Sequence, residues 1–256
     1  MLAVPPRRAG TRPRKGPRAV IRALSLDLDD TLWPIAPAIE GAERALDAWL
    51  RAHCPDVAAA WPTDALRELR ERIWLAHPQH AHDFTTLRKL SLRAVLTPHG
   101  YSEDHVEAAF EAFYAARNRV ELFDDALPAL ARLSARWPIA TLTNGNADVD
   151  RIGIGRHFAA RVCARTVGAA KPEPTIFARA ATELGQPAGA IAHVGDDPDL
   201  DVLGARRAGM VAVWLNRTGA AWPHAERPHI EIDSLAGLEP ALDDWMARRA
   251  AGEDCA

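Results

Sequence analysis

The sequence predicts an α/β fold in which a parallel sheet carries helices on both faces and a helical domain is inserted after the first strand. Short apolar stretches alternate with amphipathic helical patterns over the second half of the chain, as in β-α-β units. A long segment with only helical patterns follows the first apolar stretch. Each informative polar cluster comes at the end of a predicted strand, where open α/β sheets bind ligands. We therefore expect a Rossmann-like sheet with its site at the carboxyl ends of the strands.

The first predicted strand begins at Leu24 and runs into three carboxylates, those of Asp27, Asp29 and Asp30, followed by Thr31. Two unit charges ~4 Å apart repel each other by about 4 kcal/mol at an effective dielectric constant of ~20. A fold therefore keeps such a cluster beside a cation, or exposes it to water as a solvated turn. The motifs that follow later in the chain favour the first alternative.

The segment 34–122 has amphipathic helical patterns and no strand-like alternation. Four helices are predicted in it, over Ala38–His53, after Thr63 as an N-cap, from about Asp83, and after Ser102. We interpret this segment as a cap domain that covers the site. The catalytic core is then formed by residues 20–33 and 123–256.

After residue 123 the pattern changes to short apolar stretches separated by helices. The predicted strands are residues 139–142, 161–164, 190–194, 211–215 and 230–232. The predicted helices are residues 125–137, 174–184 and 238–249, with a further helix before residue 211. Because β-α-β connections are right-handed, these strands are expected to lie parallel in one sheet.

The composition is that of a globular protein, with 48% hydrophobic and 25% charged residues in 256. No run of about 18 apolar residues is present, so we expect no membrane-spanning segment. The three cysteines are far apart and form no CxxC pair, which favours reduced thiols and a cytoplasmic location. They are Cys54, Cys163 and Cys255.

Residues 1–19 are basic, contain no acid, and lack the apolar segment of a secretory signal. Their charged residues are Arg7, Arg8, Arg12, Arg14, Lys15 and Arg18. We predict a disordered tail rather than an arm for nucleic acid or membrane, because low hydrophobicity with high net charge cannot support packing. The whole chain holds 31 Lys and Arg against 34 Asp and Glu, and six of the basic residues lie in this tail. The remaining chain is therefore acidic, with 25 basic residues against 34 acidic ones. Binding to anionic polymers is therefore not expected, and the oligomeric state is left open.

Four motifs at predicted strand ends share their order and residue types with one known superfamily. They are Asp27-Leu28-Asp29-Asp30-Thr31, Thr143-Asn144-Gly145, Lys171-Pro172, and Gly195-Asp196 with the later Asp197 and Asp201. Over roughly residues 22–215 the chain resembles the haloacid dehalogenase-like hydrolases, in which a cap is inserted after the first strand. The resemblance implies a phosphatase. Asp30 replaces a glycine that is common in the family, and we expect its side chain to face solvent or cap the next turn.

By its motif position, Asp27 is expected to attack phosphorus and form an aspartyl-phosphate. Asp29 is expected to protonate the leaving alkoxide and then deprotonate water, a role that contributes about 10²–10⁴-fold. Carboxylates around an anionic substrate require a hard cation with oxygen ligands, which indicates Mg²⁺. Its expected ligands are the Asp27 carboxylate, the Asp29 main-chain carbonyl and Asp196.

The resemblance also assigns the phosphate-binding groups. Thr143 and Asn144 are expected to donate through a hydroxyl and backbone N–H groups, and Lys171 to supply a fixed positive charge. Asp197 and Asp201 are expected beside the metal, with Asp201 orienting its water shell. Taken singly, Lys171 would be a surface lysine and Thr143 a helix N-cap, so the assignment depends on the motifs occurring together.

Three other functions are open at this stage. A dehalogenase releases halide without a general acid or Mg²⁺, which would leave Asp29 and Asp196 idle, so a phosphatase is favoured. A receiver-like phospho-acceptor carries its acceptor on a later strand and lacks a long helical insert. A phosphate-binding pseudoenzyme is disfavoured by the complete set of charged motif residues.

The substrate is expected to be a small phosphorylated metabolite. Longer matches resemble bacterial phosphatases that act on FMN and on 5-amino-6-(5-phospho-D-ribitylamino)uracil in riboflavin biosynthesis; they include residues 142–147 and 193–197. A sugar phosphate or a nucleoside monophosphate is the alternative. Trp33 and Trp74 are candidates to stack on a ring, and His193 is expected to pack beside the sheet. Three histidines are candidates to bond the substrate but fit a solvated cap loop better: His77, His80 and His82.

Overall fold

The computed structural model describes residues 20–252 and confirms the predicted fold class. The strands are β1 (Ala23–Leu26), β2 (Ile139–Thr143), β3 (Ala160–Cys163), β4 (Ile191–Gly195), β5 (Val211–Leu215) and β6 (Ile230–Ile232). They form one parallel sheet in the order β3-β2-β1-β4-β5-β6. Because β1 lies between β2 and β4, the three strands that carry the first, second and fourth motifs are direct neighbours.

Some helices pack on the two faces of this sheet, and the helices inserted after β1 pack together in a separate apolar cluster. In the described residues they are α1 (Ile35–His53), α2 (Pro55–Ala60), α3 (Thr63–Ala76), α4 (Phe84–Leu96), α5 (Glu103–Arg117), α6 (Ala126–Arg136), α7 (Val149–Ile152), α8 (Ala164–Val167), α9 (Pro174–Leu184), α10 (Gly204–Arg207) and α11 (Leu238–Ala251). A single π-helical stretch, Pro198–Leu203, leads into α10.

The central strand shows why both faces of the sheet are covered. Successive side chains of a strand point to opposite faces. Leu24 and Leu26 of β1 join an apolar cluster with α6 and α11, whereas Ala23 joins a second cluster with α9. Every residue of β1 is buried, as expected for a strand covered on both sides.

The helices inserted after β1, which we predict to form the cap, have an apolar core of their own, in which α1 packs chiefly against α5. The sequence predicts four helices here and misses α2, which spans fewer than two turns and is too short to show a 3.6-residue period. Phe123 N donates to Leu32 O (2.9 Å), so the chain re-enters the core beside the point where it left. The domain limits 34 and 122 stay a prediction.

The predicted helix starts are partly corrected. The prediction of Thr63 as an N-cap is wrong: the helix starts at Thr63, and Pro62 precedes it as the cap. Helix α1 begins at Ile35, earlier than predicted, because the Asp30 carboxylate accepts a hydrogen bond from Ile35 N (2.9 Å). Asp30 has a positive φ of 58°, a conformation that glycine adopts without strain. Its side chain caps the next turn, as expected.

Residues 1–19 and 253–256 lie outside the described residues, so the disordered basic tail stays a prediction. No helix between residues 20 and 252 is long and apolar enough to cross a bilayer.

A histidine on the connection into β6 is expected to make stability depend on pH. His229 Nδ1 accepts a hydrogen bond from Ala212 N (3.0 Å), which requires the unprotonated nitrogen. Burial, with the nearby positive charges of Arg206 and Arg249, lowers the pKa of His229 to about 4. The unfolded chain takes up this proton near pH ~6.5, so the contribution is complete above that pH and is lost as the pH falls towards 4.

We therefore expect wild-type stability to decline relative to His229→Gln between pH 6.5 and 4, because glutamine keeps an acceptor and does not titrate. The difference between the two proteins in the free energy of unfolding should reach about 1 kcal/mol. This is less than full burial would give, because the His229 ring is partly exposed. Urea unfolding of both proteins at pH 7, 5.5 and 4.5 measures it. Parallel curves for the two proteins would contradict the assignment.

Candidate active site

A buried lysine joins two of the motif carboxylates at the carboxyl edge of the sheet. Lys171 Nζ donates to Asp27 Oδ1 (2.5 Å) and to Asp201 Oδ1 (2.7 Å), and all three side chains are almost fully buried. Burial alone would lower the pKa of Lys171, but Asp201 and Asp27 raise it above its ordinary value. Burial raises the pKa of Asp27 well above the usual range, although Lys171 opposes this. Lys171 is therefore a fixed cation. The alternative that it is an ordinary surface lysine is excluded.

Asp201 holds Lys171 rather than facing solvent. Its Oδ1 also lies 3.0 Å from His193 Nε2, and its Oδ2 accepts from Asp197 N (3.1 Å). Although burial opposes ionisation, Lys171 and His193 lower the pKa of Asp201 to about 2. A Cβ atom added to Gly195 would lie 2.2 Å from Asp201 Cγ, which explains the glycine before the fourth motif's first aspartate. The predicted role of Asp201 in a metal's water shell stays a prediction; both of its oxygens already accept hydrogen bonds.

His193 lies within β4, as expected for a residue that packs in the sheet. Its Nδ1 is 2.9 Å from Ser25 Oγ on β1, and its ring packs edge-on against Phe177. Burial lowers the pKa of His193, so the neutral ring is favoured. It therefore supports Asp201 from inside the sheet.

The carboxylates of Asp27, Asp196 and Asp201 converge beside the candidate metal site. One oxygen from each lies within 4.8 Å of the others. Thr31 Oγ1 donates to Asp196 Oδ1 (3.0 Å), which fixes that carboxylate. Burial, and after it the charge of Asp201, raises the pKa of Asp196 to about 7. No basic side chain among residues 20–252 pairs with Asp196, so a hard cation with oxygen ligands fits this donor set.

Asp29 is held by two donors, and neither was assigned to this role from the sequence. Arg117 Nη2 donates to both of its oxygens (2.6 and 2.7 Å), and Trp33 Nε1 donates to Oδ1 (2.8 Å). Trp33 is fully buried, so the expectation that it stacks on a substrate ring is wrong. Arg117 is the last residue of α5, and its Nη1 has no partner among the described residues. The sequence did contain a signal for the burial of Arg117. It follows the buried Phe113 by four residues and so lies on the apolar face of its helix.

The second motif is built as a turn around Thr143. Thr143 Oγ1 accepts from Gly145 N (3.0 Å), while Asp148 caps the short helix α7, so Thr143 is not a helix N-cap. The Asn144 side chain donates to Lys171 O (3.0 Å) and accepts from Lys171 N (2.7 Å). Asn144 therefore ties the second motif to the third through its side-chain oxygen and one of its two amide N–H groups.

The remaining predicted residues lie further from the centre of the site. Asp197 caps the stretch Pro198–Leu203 by accepting from Asp199 N and Leu200 N (2.8 Å each). Its predicted position beside the metal stays untested. His77 Nδ1 lies 2.9 Å from Ile73 O, and His77, His80 and His82 are all half-buried around the 3-10 turn Pro78–His80. The solvated cap loop stays a prediction.

Fold and site together define an enzyme in which a buried carboxylate–lysine cluster lies at the carboxyl edge of a parallel sheet, with a group of helices inserted after the first strand. The chain matches the family model of haloacid dehalogenase-like hydrolases over residues 21–209. Because this match covers most of the chain, the protein belongs to that family and is a hydrolase.

Two curated relatives are phosphatases. The chain is 33% identical over 230 residues to the 5-amino-6-(5-phospho-D-ribitylamino)uracil phosphatase YigB of Escherichia coli. This alignment covers 87% of this chain and 96% of that protein. It is 32% identical over 209 residues to the phosphoserine phosphatase of Thermus thermophilus, and this alignment covers 78% of this chain and 74% of that protein. A solved structure described as a 2-haloacid dehalogenase from Pseudomonas syringae pv. Tomato aligns with a TM-score of 0.83 and 38% identity, over 88% of this chain and all of that one.

Proposed function

We propose that this hydrolase cleaves small phosphate monoesters in a Mg²⁺-dependent reaction that passes through an aspartyl-phosphate on Asp27. The observation that carries the proposal is the buried cluster of Asp27, Lys171 and Asp201 beside Asp196. A fixed cation beside the attacking carboxylate lowers its repulsion with an anionic phosphoryl group, and this repulsion is the main obstacle to nucleophilic attack on such a group.

In the first step an Asp27 oxygen attacks phosphorus while the bond from phosphorus to the ester oxygen breaks. The departing oxygen takes a proton from Asp29. Of the two Asp29 oxygens, Oδ1 accepts from both Trp33 and Arg117, whereas Oδ2 accepts from Arg117 alone. A carboxylate oxygen has two lone pairs, so Oδ2 retains one that can carry the proton.

In the second step Asp29 takes a proton from water, whose oxygen attacks the phosphorus of the aspartyl-phosphate. The bond to Asp27 breaks, and inorganic phosphate is released. Lys171 and the main-chain N–H groups of the second motif offset the charge on the phosphoryl oxygens in both steps. Asp201 and His193 keep Lys171 in place.

The metal ligands that we propose are the carboxylates of Asp27 and Asp196 and the main-chain carbonyl of Asp29. When bound, Mg²⁺ would neutralise phosphate charge and orient the substrate. Thr31 fixes Asp196 through its hydroxyl, which limits the reorganisation needed when a cation binds.

The substrate that we propose is 5-amino-6-(5-phospho-D-ribitylamino)uracil or FMN. The Escherichia coli relative acts on the first of these, as its name states, and aligns over nearly its whole length. A sugar phosphate or a nucleoside monophosphate is the alternative. Dehalogenation is the rival reaction because of the similar solved structure, but halide departs without a proton, which would leave Asp29 without a task.

A panel of substrates tests the proposal. We expect Mg²⁺-dependent release of phosphate from FMN and related monoesters, loss of activity with excess chelator, and recovery when Mg²⁺ is added back. The panel includes 2-chloropropionate, with halide release as the readout. Dehalogenation without phosphate release would overturn the proposal, and phosphatase activity unchanged by chelator would remove the metal from it.

A further inference from the structure

A half-open cavity of about 190 Å³ runs from the candidate acid towards the inserted helices. Asp29 and Gly145 line one end, and side chains of α1, α3, α4 and α5 line the rest. A phosphate ester that reacts at Asp27 and receives its proton from Asp29 would place its leaving group in this cavity.

Aromatic rings dominate the cap end of the cavity. Trp74 and Phe84 lie with ring centroids 5.0 Å apart at an interplanar angle of 50°, and Phe113 lines the same wall. Trp74 is 42% exposed and lines the half-open cavity, so this large side chain has an uncovered face. An uncovered indole face in a cavity that adjoins a reactive carboxylate fits a planar ring.

Two arginines at this end of the cavity share one carboxylate. Arg88 donates to both oxygens of Glu43 (2.9 and 3.2 Å), and Arg70 donates to the same group. Burial raises the pKa of Glu43, but Arg88 and Arg70 lower it below its usual value, so the carboxylate is ionised. Glu43 is the one carboxylate among residues 20–252 that pairs with these two guanidinium groups, so one positive charge there is unpaired. Arg88 also stacks over the Phe113 ring at 3.8 Å, which fixes its position.

We infer that this cavity receives a heteroaromatic leaving group that bears carbonyl oxygens. Its ring stacks on Trp74, and a carbonyl oxygen accepts a hydrogen bond from Arg70 or Arg88, where the surplus positive charge lies. A leaving group as small as serine or glycerol would leave the aromatic end unfilled. This inference rests on the proposed phosphatase function, because it names the substrate class of that same site.

The aromatic wall is tested with Trp74→Ala and the control Leu75→Ala. Leu75 is the next residue on the same helix, is 81% exposed, and does not line the cavity. The readout is the ratio of kcat/KM for FMN to kcat/KM for glycerol 1-phosphate. Trp74→Ala should lower this ratio about tenfold, mainly through KM for FMN, since a lost stacking contact is worth up to about one order of magnitude. Leu75→Ala should leave the ratio unchanged.

Arg70→Gln tests the polar contact. It should lower the same ratio by about fivefold, because a hydrogen bond from a charged donor to the ring carbonyl is lost. An equal effect of Trp74→Ala on both substrates would overturn the inference and leave the phosphatase proposal intact.

A binding measurement separates the two proposals. Riboflavin, which carries the ring without a phosphate, should bind wild-type protein and Leu75→Ala with quenched flavin fluorescence, and should bind Trp74→Ala about tenfold more weakly. If no ester is hydrolysed but riboflavin binding depends on Trp74, the phosphatase proposal fails and the cavity assignment holds. Riboflavin binding of equal strength in all three proteins overturns the cavity assignment.

Discussion

Asp27→Asn should reduce phosphate release by roughly 10⁴-fold or more, because it removes the nucleophile on which both chemical steps depend. The amide nitrogen and oxygen keep the shape of the side chain, so substrate can still enter. Rapid acid quench of wild-type protein during turnover should show an acyl phosphate that hydroxylamine removes. The variant should show none.

The fold should survive this substitution, because Lys171 still donates to Asp201 (2.7 Å) when its contact with Asp27 is weakened. Asp199→Asn is the matched control. Asp199 belongs to the same acidic stretch as the fourth motif but is exposed and lies 3.1 Å from His224 Nε2. Its activity should match that of wild type. Phosphate release by Asp27→Asn within tenfold of wild type would show that another group attacks phosphorus.

The core of the site was predictable from the sequence because parallel strands bring their carboxyl ends to one edge. Asp27 and Lys171 are 144 positions apart and still meet, since the motifs follow neighbouring strands of the sheet. The fold class followed from the same alternation of strands and helices. Neither inference required knowledge of how individual side chains pack.

The contacts made by the cap could not be predicted in this way. Whether the last residue of α5 reaches Asp29 depends on how the inserted helices pack on the core, and helical periodicity gives only the face on which Arg117 lies. Trp33 was misassigned for a related reason. From the sequence, an indole beside acidic residues is equally able to stack on a ligand or to be a buried hydrogen-bond donor. The bond from its Nε1 to Asp29 and the absence of solvent exposure decide for the donor.

The contact between Arg117 and Asp29 joins a cap residue to the candidate acid of the core. A carboxylate that hydrogen-bonds in this way is oriented more tightly than one on a loop alone, and small misplacements of catalytic groups are costly. The position of Asp29 therefore depends on residues from both parts of the chain, including the second motif, where Gly145 leaves room for it.

Gly145→Ala should lower kcat for alkyl phosphates by about 10²-fold or more. A Cβ atom at this position would lie 2.7 Å from Asp29 Oδ2, 3.3 Å from Thr143 Oγ1 and 3.7 Å from Arg117 Nη2. The first distance is too short for any stable contact, and Oδ2 is the oxygen that we expect to carry the proton. Displacing it should cost much of the ~10²–10⁴-fold that a general acid contributes.

The loss should depend on the leaving group, because nitrophenolate departs without protonation whereas an alkoxide does not. Glycerol 1-phosphate hydrolysis should therefore fall at least about tenfold more than 4-nitrophenyl phosphate hydrolysis. Gly237→Ala provides the matched control, since a Cβ atom there meets nothing within 4 Å and the backbone φ is −83°. It should leave both rates and the unfolding midpoint unchanged. Equal losses on the two substrates in Gly145→Ala would mean that the methyl group disturbs phosphate binding at Thr143 rather than proton transfer at Asp29.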